Sequence, residues 1–153
     1  MKTERRSAIK KMFATLIGVA GVGVAAKAAA APSKKESMDI TTLNDGPLFA
    51  GVTKYGNLLF LSGIGAHVAP FTIEEHTKIV LKGMEDKLKE AGSSMEKVLK
   101  VNVYLNDIAD YKAMNETYKG HFGANPPVRT TVAVAKGGVP GDSLVEMDCI
   151  AYI

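Results

Sequence analysis

"PPVRTTVAVAKGGVPGDSLVEMDCIAYI", residues 126–153, decides how this chain is arranged. It reads as two apolar runs joined by a Gly-Pro turn. Yet Arg129 sits inside the first run, and Glu146 and Asp148 sit inside the second. A hairpin that pairs Lys136 with Gly141 sets Thr131 opposite Glu146 and Arg129 opposite Asp148. Side chains alternate across a strand, so any even shift of register keeps the same sides. One face then carries Arg129, Thr131, Ala133 and Ala135 with Leu144, Glu146, Asp148 and Ile150. The other carries Val128, Thr130, Val132 and Val134 with Val145, Met147, Cys149 and Ala151, and is the apolar face expected under helices. Charges gathered on the free face allow two readings. One is a cross-strand salt bridge. The other is a small-anion site, where a guanidinium offers a bidentate fork and a glutamate holds a water or shuttles a proton.

Working upstream, Asp107 is expected to cap a helix whose stripe is Ile108, Tyr111, Met114, Tyr118 and Phe122, stopped by Gly123, Asn125 and Pro126-Pro127. "KVLKVNVYLND" alternates from Leu99 onward and predicts a strand. Thr72 with Glu75 forms a capping-box pattern that opens another helix. Its stripe is Thr77, Val80, Leu81, Met84, Leu88 and Ala91, and Gly92 ends it. "LLFLSGI", Leu58–Ile64, pairs across a turn at Tyr55-Gly56-Asn57 with a strand from Phe49 to Lys54. Residues 38–43, "MDITTL", read as a short strand. The order β-β-β-α-β-α-β-β implies an α/β (α+β) domain, one mixed sheet with two helices on one face. The face left uncovered is expected to meet another subunit.

Residues 1–31 contain six Lys or Arg and one acid. A basic stretch ends at Lys11, an apolar run spans Met12–Ala26, and Ala-x-Ala segments follow. This is the plan of a secretory signal peptide. The run is about 15 residues, short of the roughly 20 that span a bilayer. The adjacent Arg5-Arg6 resemble a twin-arginine export signal, which implies an exported, periplasmic protein with no stable membrane insertion after cleavage; an uncleaved anchor is the alternative. Residues 32–37 read as a linker and 38–153 as the domain.

Without those 31 residues, 13 basic and 15 acidic residues remain, so the net charge of +3 becomes −2 and no basic stripe for nucleic acid is implied. Cys149 is the only cysteine, which excludes an intramolecular disulfide and a cysteine metal cluster and suits an inert core thiol. His67, His76 and His121 show no paired metal spacing, so no metal site is expected. Ser62 has no evident Ser-His-Asp partners.

Several blocks carry a family likeness: "DGP" before the first hairpin, "GNLLFLSG", "KVLKVNVYLNDIADYKAMNETY", "PPVRTTVAVA" and "VEMDCIA". From about Met38 to the C-terminus the chain resembles the RidA (YjgF) family of reactive intermediate deaminases. The resemblance implies a chorismate-mutase-like domain in a homotrimer with clefts between subunits. It implies hydrolysis of enamines and imines to 2-keto acids and ammonia, without a cofactor. It places a carboxylate clamp on Arg129 and a water-activating role on Glu146. Asn115, Thr131, Ser62 and Gly63 fall on cleft positions. Leu48, Phe49 and Ile64 stand where the family has Tyr, Ser and Gln, and are expected to make one cleft wall more apolar. Two functions remain open on this basis: a deaminase of imino acids, and a non-catalytic trimer that binds a small carboxylate in the cell envelope.

Overall fold

The computed structural model of the protein describes residues 33–153; the proposed signal lies outside them. The predicted helix forms as α1, Ile73–Glu90. Thr72 is extended, and its hydroxyl accepts the Glu75 N–H at 3.4 Å. At the other end Gly92 adopts φ +81. Ser93 N–H then reaches Leu88 O at 2.7 Å and Gly92 N–H reaches Lys89 O at 3.0 Å, a Schellman motif that satisfies the last carbonyls. Thr77, Val80, Leu81, Met84 and Leu88 are all buried, as the spacing requires.

The sheet has six strands in the order β1-β2-β3-β6-β4-β5. They are β1 (Lys35–Leu43), β2 (Gly46–Tyr55), β3 (Leu58–Gly65), β4 (Val98–Leu105), β5 (Val128–Ala133) and β6 (Val145–Tyr152). Helix α1 packs on β3 and β6, and α2 (Tyr111–Tyr118) packs on α1, so both helices cover one face. The core between them holds Leu59, Leu61, Val101, Val103, Met147 and Cys149.

The final two strands do not form a hairpin. β6 pairs antiparallel with both β3 and β4, while β5 pairs parallel with the far edge of β4. A parallel pair needs a crossover, and α2 supplies it between β4 and β5. The pairing of Arg129 with Asp148 is therefore absent, and the face assignment for β5 reverses. Arg129 is level with Val101 and Thr131 with Val103, on the helix-covered side. Val128, Thr130 and Val132 lie on the open side. The assignment for β6 holds: Val145, Met147, Cys149 and Ala151 are buried, and Glu146, Asp148 and Ile150 alternate with them.

Two other differences concern ends. The residues read as a linker contribute Lys35, Glu36 and Ser37 to β1, since main-chain pairing with Tyr55, Lys54 and Thr53 does not depend on apolar side chains. The β1–β2 turn lies at Asn44-Asp45, both left-handed (φ 47 and 64), as a two-residue hairpin loop favours. The second helix is shorter than its apolar stripe. Asp107 caps a 3-10 turn at Ile108–Asp110 instead, and left-handed Gly120 follows the helix.

β2 pairs with β3 only over Val52–Tyr55, so the turn end of the β1–β2 hairpin projects as a ribbon. Ile40, Leu43, Leu48 and Phe49 on it are more than half exposed. At its base Asp39 is left-handed (φ 56) and skipped in the β1–β2 register. Its carboxylate sits over Gly51, where a Cβ would overlap it, and pairs with Lys87 of α1.

Cys149 tests this core directly. The thiol is 1 % exposed, and burial pushes its pKa up to about 12. The folded protein at pH 8 should resist a thiol reagent over the time in which the protein unfolded in guanidinium is fully labelled. Mass spectrometry of the labelled chain checks this.

Candidate active site

Glu146 lies on the open face of β6, level with Tyr104 of β4 and Gly65 of β3. Between Leu61↔Cys149 and Ile64↔Met147 the β3–β6 ladder shifts, so Ser62 and Gly63 together face Asp148. This is a β-bulge, and it gives Gly63 its role. The Glu146 carboxylate occupies the space that any side chain at 63 would need. Because β2 has already left β3 at Leu61, no partner strand covers the β2-side edge of Ser62 and Gly63. The sequence-predicted residues Ser62, Gly63 and Glu146 thus come together.

Their surroundings include two residues not singled out from sequence, Asn102 and Tyr104. Asp148 accepts from Asn102 Nδ2 at 2.8 Å and from the Tyr104 hydroxyl at 3.0 Å. That hydrogen bond, with partial desolvation, holds the Tyr104 pKa above its ordinary value. Both Asp148 oxygens are engaged, while Glu146 forms no salt bridge among the described residues. Glu146 and Tyr104 line a small cleft of about 150 Å³ with Val134, Gly138, Val139 and Pro140. The signal for Asn102, Tyr104 and Asp148 was their alternation, which puts all three on one side.

Arg129 sits elsewhere. Its guanidinium lies 4.7 Å from the Tyr118 ring centre and 5.9 Å from that of Tyr111, both on α2. Asn115 falls between those tyrosines on the same helical face. No carboxylate is within salt-bridge reach of Arg129 among the described residues. The Tyr118 hydroxyl and Thr131 Oγ1 are buried without a hydrogen-bond partner. Burial pushes the Tyr118 pKa up to about 12, against the opposing pull of Arg129. Arg129, Asn115 and Thr131 thus form a second group, fit to take an anion by charge and hydrogen bonding. Within one chain the sheet separates it from Glu146.

Within one chain the three residues expected to make an apolar wall stand apart. The bulge turns Ile64 toward α1, where its side chain packs against Gly83. Leu48 and Phe49 lie on the ribbon and line a cavity with Ile40, Pro47 and Ala50 that excludes Glu146.

Sequence reasoning also passed over His76, which is fully buried and bonded to main chain at both ring nitrogens. A signal existed: His76, Val80, Met84 and Leu88 form one strict four-residue row.

Comparison with known proteins agrees with this architecture. Residues 45–153 match the family model described as Endoribonuclease L-PSP. "Protein mmf2, mitochondrial" of Schizosaccharomyces pombe is 39% identical over 124 residues, covering 76% of this chain and 97% of that protein. "Reactive Intermediate Deaminase A, chloroplastic" of Arabidopsis thaliana is 37% identical over 112 residues, 69% of this chain and 58% of that one. A YjgF family member from Neisseria meningitidis superposes with a TM-score of 0.68 at 28% identity, covering 78% of this chain and 94% of that chain. The chain belongs to the endoribonuclease L-PSP family, to which the RidA and YjgF proteins also belong.

Proposed function

We propose that this chain is a cofactor-free hydrolase that converts reactive enamine or imine intermediates to 2-keto acids and ammonia, working as a homotrimer. The observation that carries the reading is Arg129. It is a cation with no carboxylate within salt-bridge reach among the described residues, stacked on Tyr118 beside two orphan hydroxyls. That is the unfilled half of an ion pair, and a substrate carboxylate completes it. The chloroplast relative's name, Reactive Intermediate Deaminase A, points the same way.

In this mechanism Arg129 holds the carboxylate, helped by Asn115 and Thr131. Glu146 takes a proton from water as the oxygen attacks the imine carbon. It returns that proton to nitrogen, giving a carbinolamine, then carries the hydroxyl proton to nitrogen as the carbon–nitrogen bond breaks and the C=O bond forms, and the keto acid and ammonia leave. Ser62 and Gly63 supply main-chain donors at the bulge. The two groups stand on opposite faces of one sheet, so the reading needs Arg129 of one subunit beside Glu146 of its neighbour. Subunit contact also supplies cover for Phe60, Val128 and Val132, which are exposed on the open face.

Arg129→Ala should weaken 2-keto acid binding about ten- to a hundred-fold, the loss of one charge-assisted hydrogen bond. Stability should fall by only about 1 kcal/mol, from lost ring stacking. Glu146→Gln should keep binding and lower ammonia release roughly 10²- to 10⁴-fold. Calorimetric titration and an ammonia assay on imines generated in situ by an amino-acid oxidase check both. Normal turnover by Glu146→Gln would remove its water-activating role and favour the non-catalytic carboxylate-binding trimer.

Assembly has its own test. Unfolding and refolding Arg129→Ala and Glu146→Gln proteins together should restore ammonia release that neither shows alone, because a mixed trimer contains one intact cleft. Mixtures as inactive as their components would place both residues in one subunit's site.

The export reading of residues 1–31 stands as a proposal on sequence alone. If it is right, changing Arg5 and Arg6 together to Lys should leave uncleaved precursor in the cytoplasm, as fractionation and immunoblotting would show. Unchanged delivery would argue for another route or a plain anchor.

A further inference from the structure

We infer that His76 is a positioning residue for the Glu146 half of the site, holding the segment that precedes β6 through a hydrogen bond to the Leu144 main chain. The inference rests on the role of Glu146 proposed above; the hydrogen bonds themselves do not. His76 lies in the first turn of α1 with no exposed surface. Its Nδ1 is 3.1 Å from Leu144 N, and its Nε2 is 3.1 Å from Val68 O. A main-chain N–H only donates and a carbonyl only accepts. The ring must therefore be neutral, with its single proton on Nε2. Phe71 meets the ring edge-on, with centroids 5.3 Å apart.

The contact reaches the site by a short path. Leu144 O accepts from Asn106 N at 2.9 Å. Ser143, buried beside it, accepts Ala66 N–H at 2.9 Å and donates to Val145 O at 2.7 Å. His67 Nδ1 lies 3.0 Å from Gly141 O. The segment from Gly141 to Val145 is thus tied to the loop after β3, to α1 and to the end of β4. Just before it, Gly138, Val139 and Pro140 form a wall of the cleft that holds Glu146. Just after it comes Glu146, two residues from the bond that His76 accepts. Ser143 has no such tie to α1, so among these contacts His76 alone fixes the segment against the helix layer.

The roles separate from ordinary packing in two variants. His76→Leu fills a similar volume without hydrogen bonds. His76→Gln keeps one acceptor and one donor. In the full chain, nitrogen-15 spectra should show His76 protonated on Nε2. Hydrogen exchange at the Leu144 amide should speed up about tenfold or more in His76→Leu, while the Val101 and Met147 amides stay protected. Its kcat should fall about ten- to a hundred-fold with KM little changed, as misplacement of a reacting group implies. His76→Gln should recover most of that loss. A proton on Nδ1, or unchanged protection of Leu144 in His76→Leu, overturns the inference. So does equal loss in both variants, or a fall in kcat that only tracks global stability. If His76→Leu does not fold, the wild-type tautomer and the Gln variant still decide. If the wild-type protein releases no ammonia, the deaminase reading fails, and tautomer and amide exchange alone decide whether His76 holds the segment.

Discussion

β6 is paired along both edges, to β3 and to β4, and its register is set by one row of side chains. Val145, Met147, Cys149 and Ala151 are each at most 1 % exposed. A slip by one residue would bring Glu146 and Asp148 under α1 in their place. Burying two unpaired carboxylates costs far more than the apolar row gains elsewhere. The strand therefore has one workable setting, and it fixes which way the acidic residues face. With both edges of β6 taken, β5 must use the free edge of β4, and the direction imposed by α2 makes that pair parallel.

From this follows the division of the chemistry. Arg129, the proposed carboxylate clamp, lies beneath α2, where Tyr111 and Tyr118 shield the guanidinium without neutralising it. The acidic group stands on the bare side, where hydrogen bonds occupy Asp148 and leave Glu146 available. An arginine and a glutamate in the same subunit would satisfy each other if they shared a face. Separation by the sheet keeps the two from pairing within one chain, which is what the proposed intersubunit site requires.

Much of this was legible in sequence, and the limit has a physical cause. Helix α1, its two caps, the Gly56-Asn57 turn and the two faces of β6 all come from contacts close along the chain or from strict periodicity. The Ser62-Gly63 bulge matched residues already set apart by family likeness, although its effect on Ile64 did not. Arg129 was placed on the wrong face because β5 and β6 are neighbours in sequence and invite a hairpin. Its true partner is Val101, across a helix, and no local rule gives the parity of a parallel pair. What sequence lacked was β4, the strand that lies between β5 and β6. His76 was passed over for a different reason. Its value lies in two main-chain atoms, Val68 O and Leu144 N, and main-chain atoms leave no mark on residue type.

The left-handed Asp39 at the base of the ribbon bears on how the chain behaves in a crowded solution. β1 is an edge strand with every residue exposed, and an uninterrupted edge of that kind is a template for foreign strands. Asp39 breaks its regular run of main-chain donors and acceptors in the middle and holds a charge there, tied down by Lys87. A strand approaching from outside finds at most a few residues in phase before the pattern fails. One off-pattern residue thus guards against runaway aggregation while leaving the apolar ribbon beyond it intact.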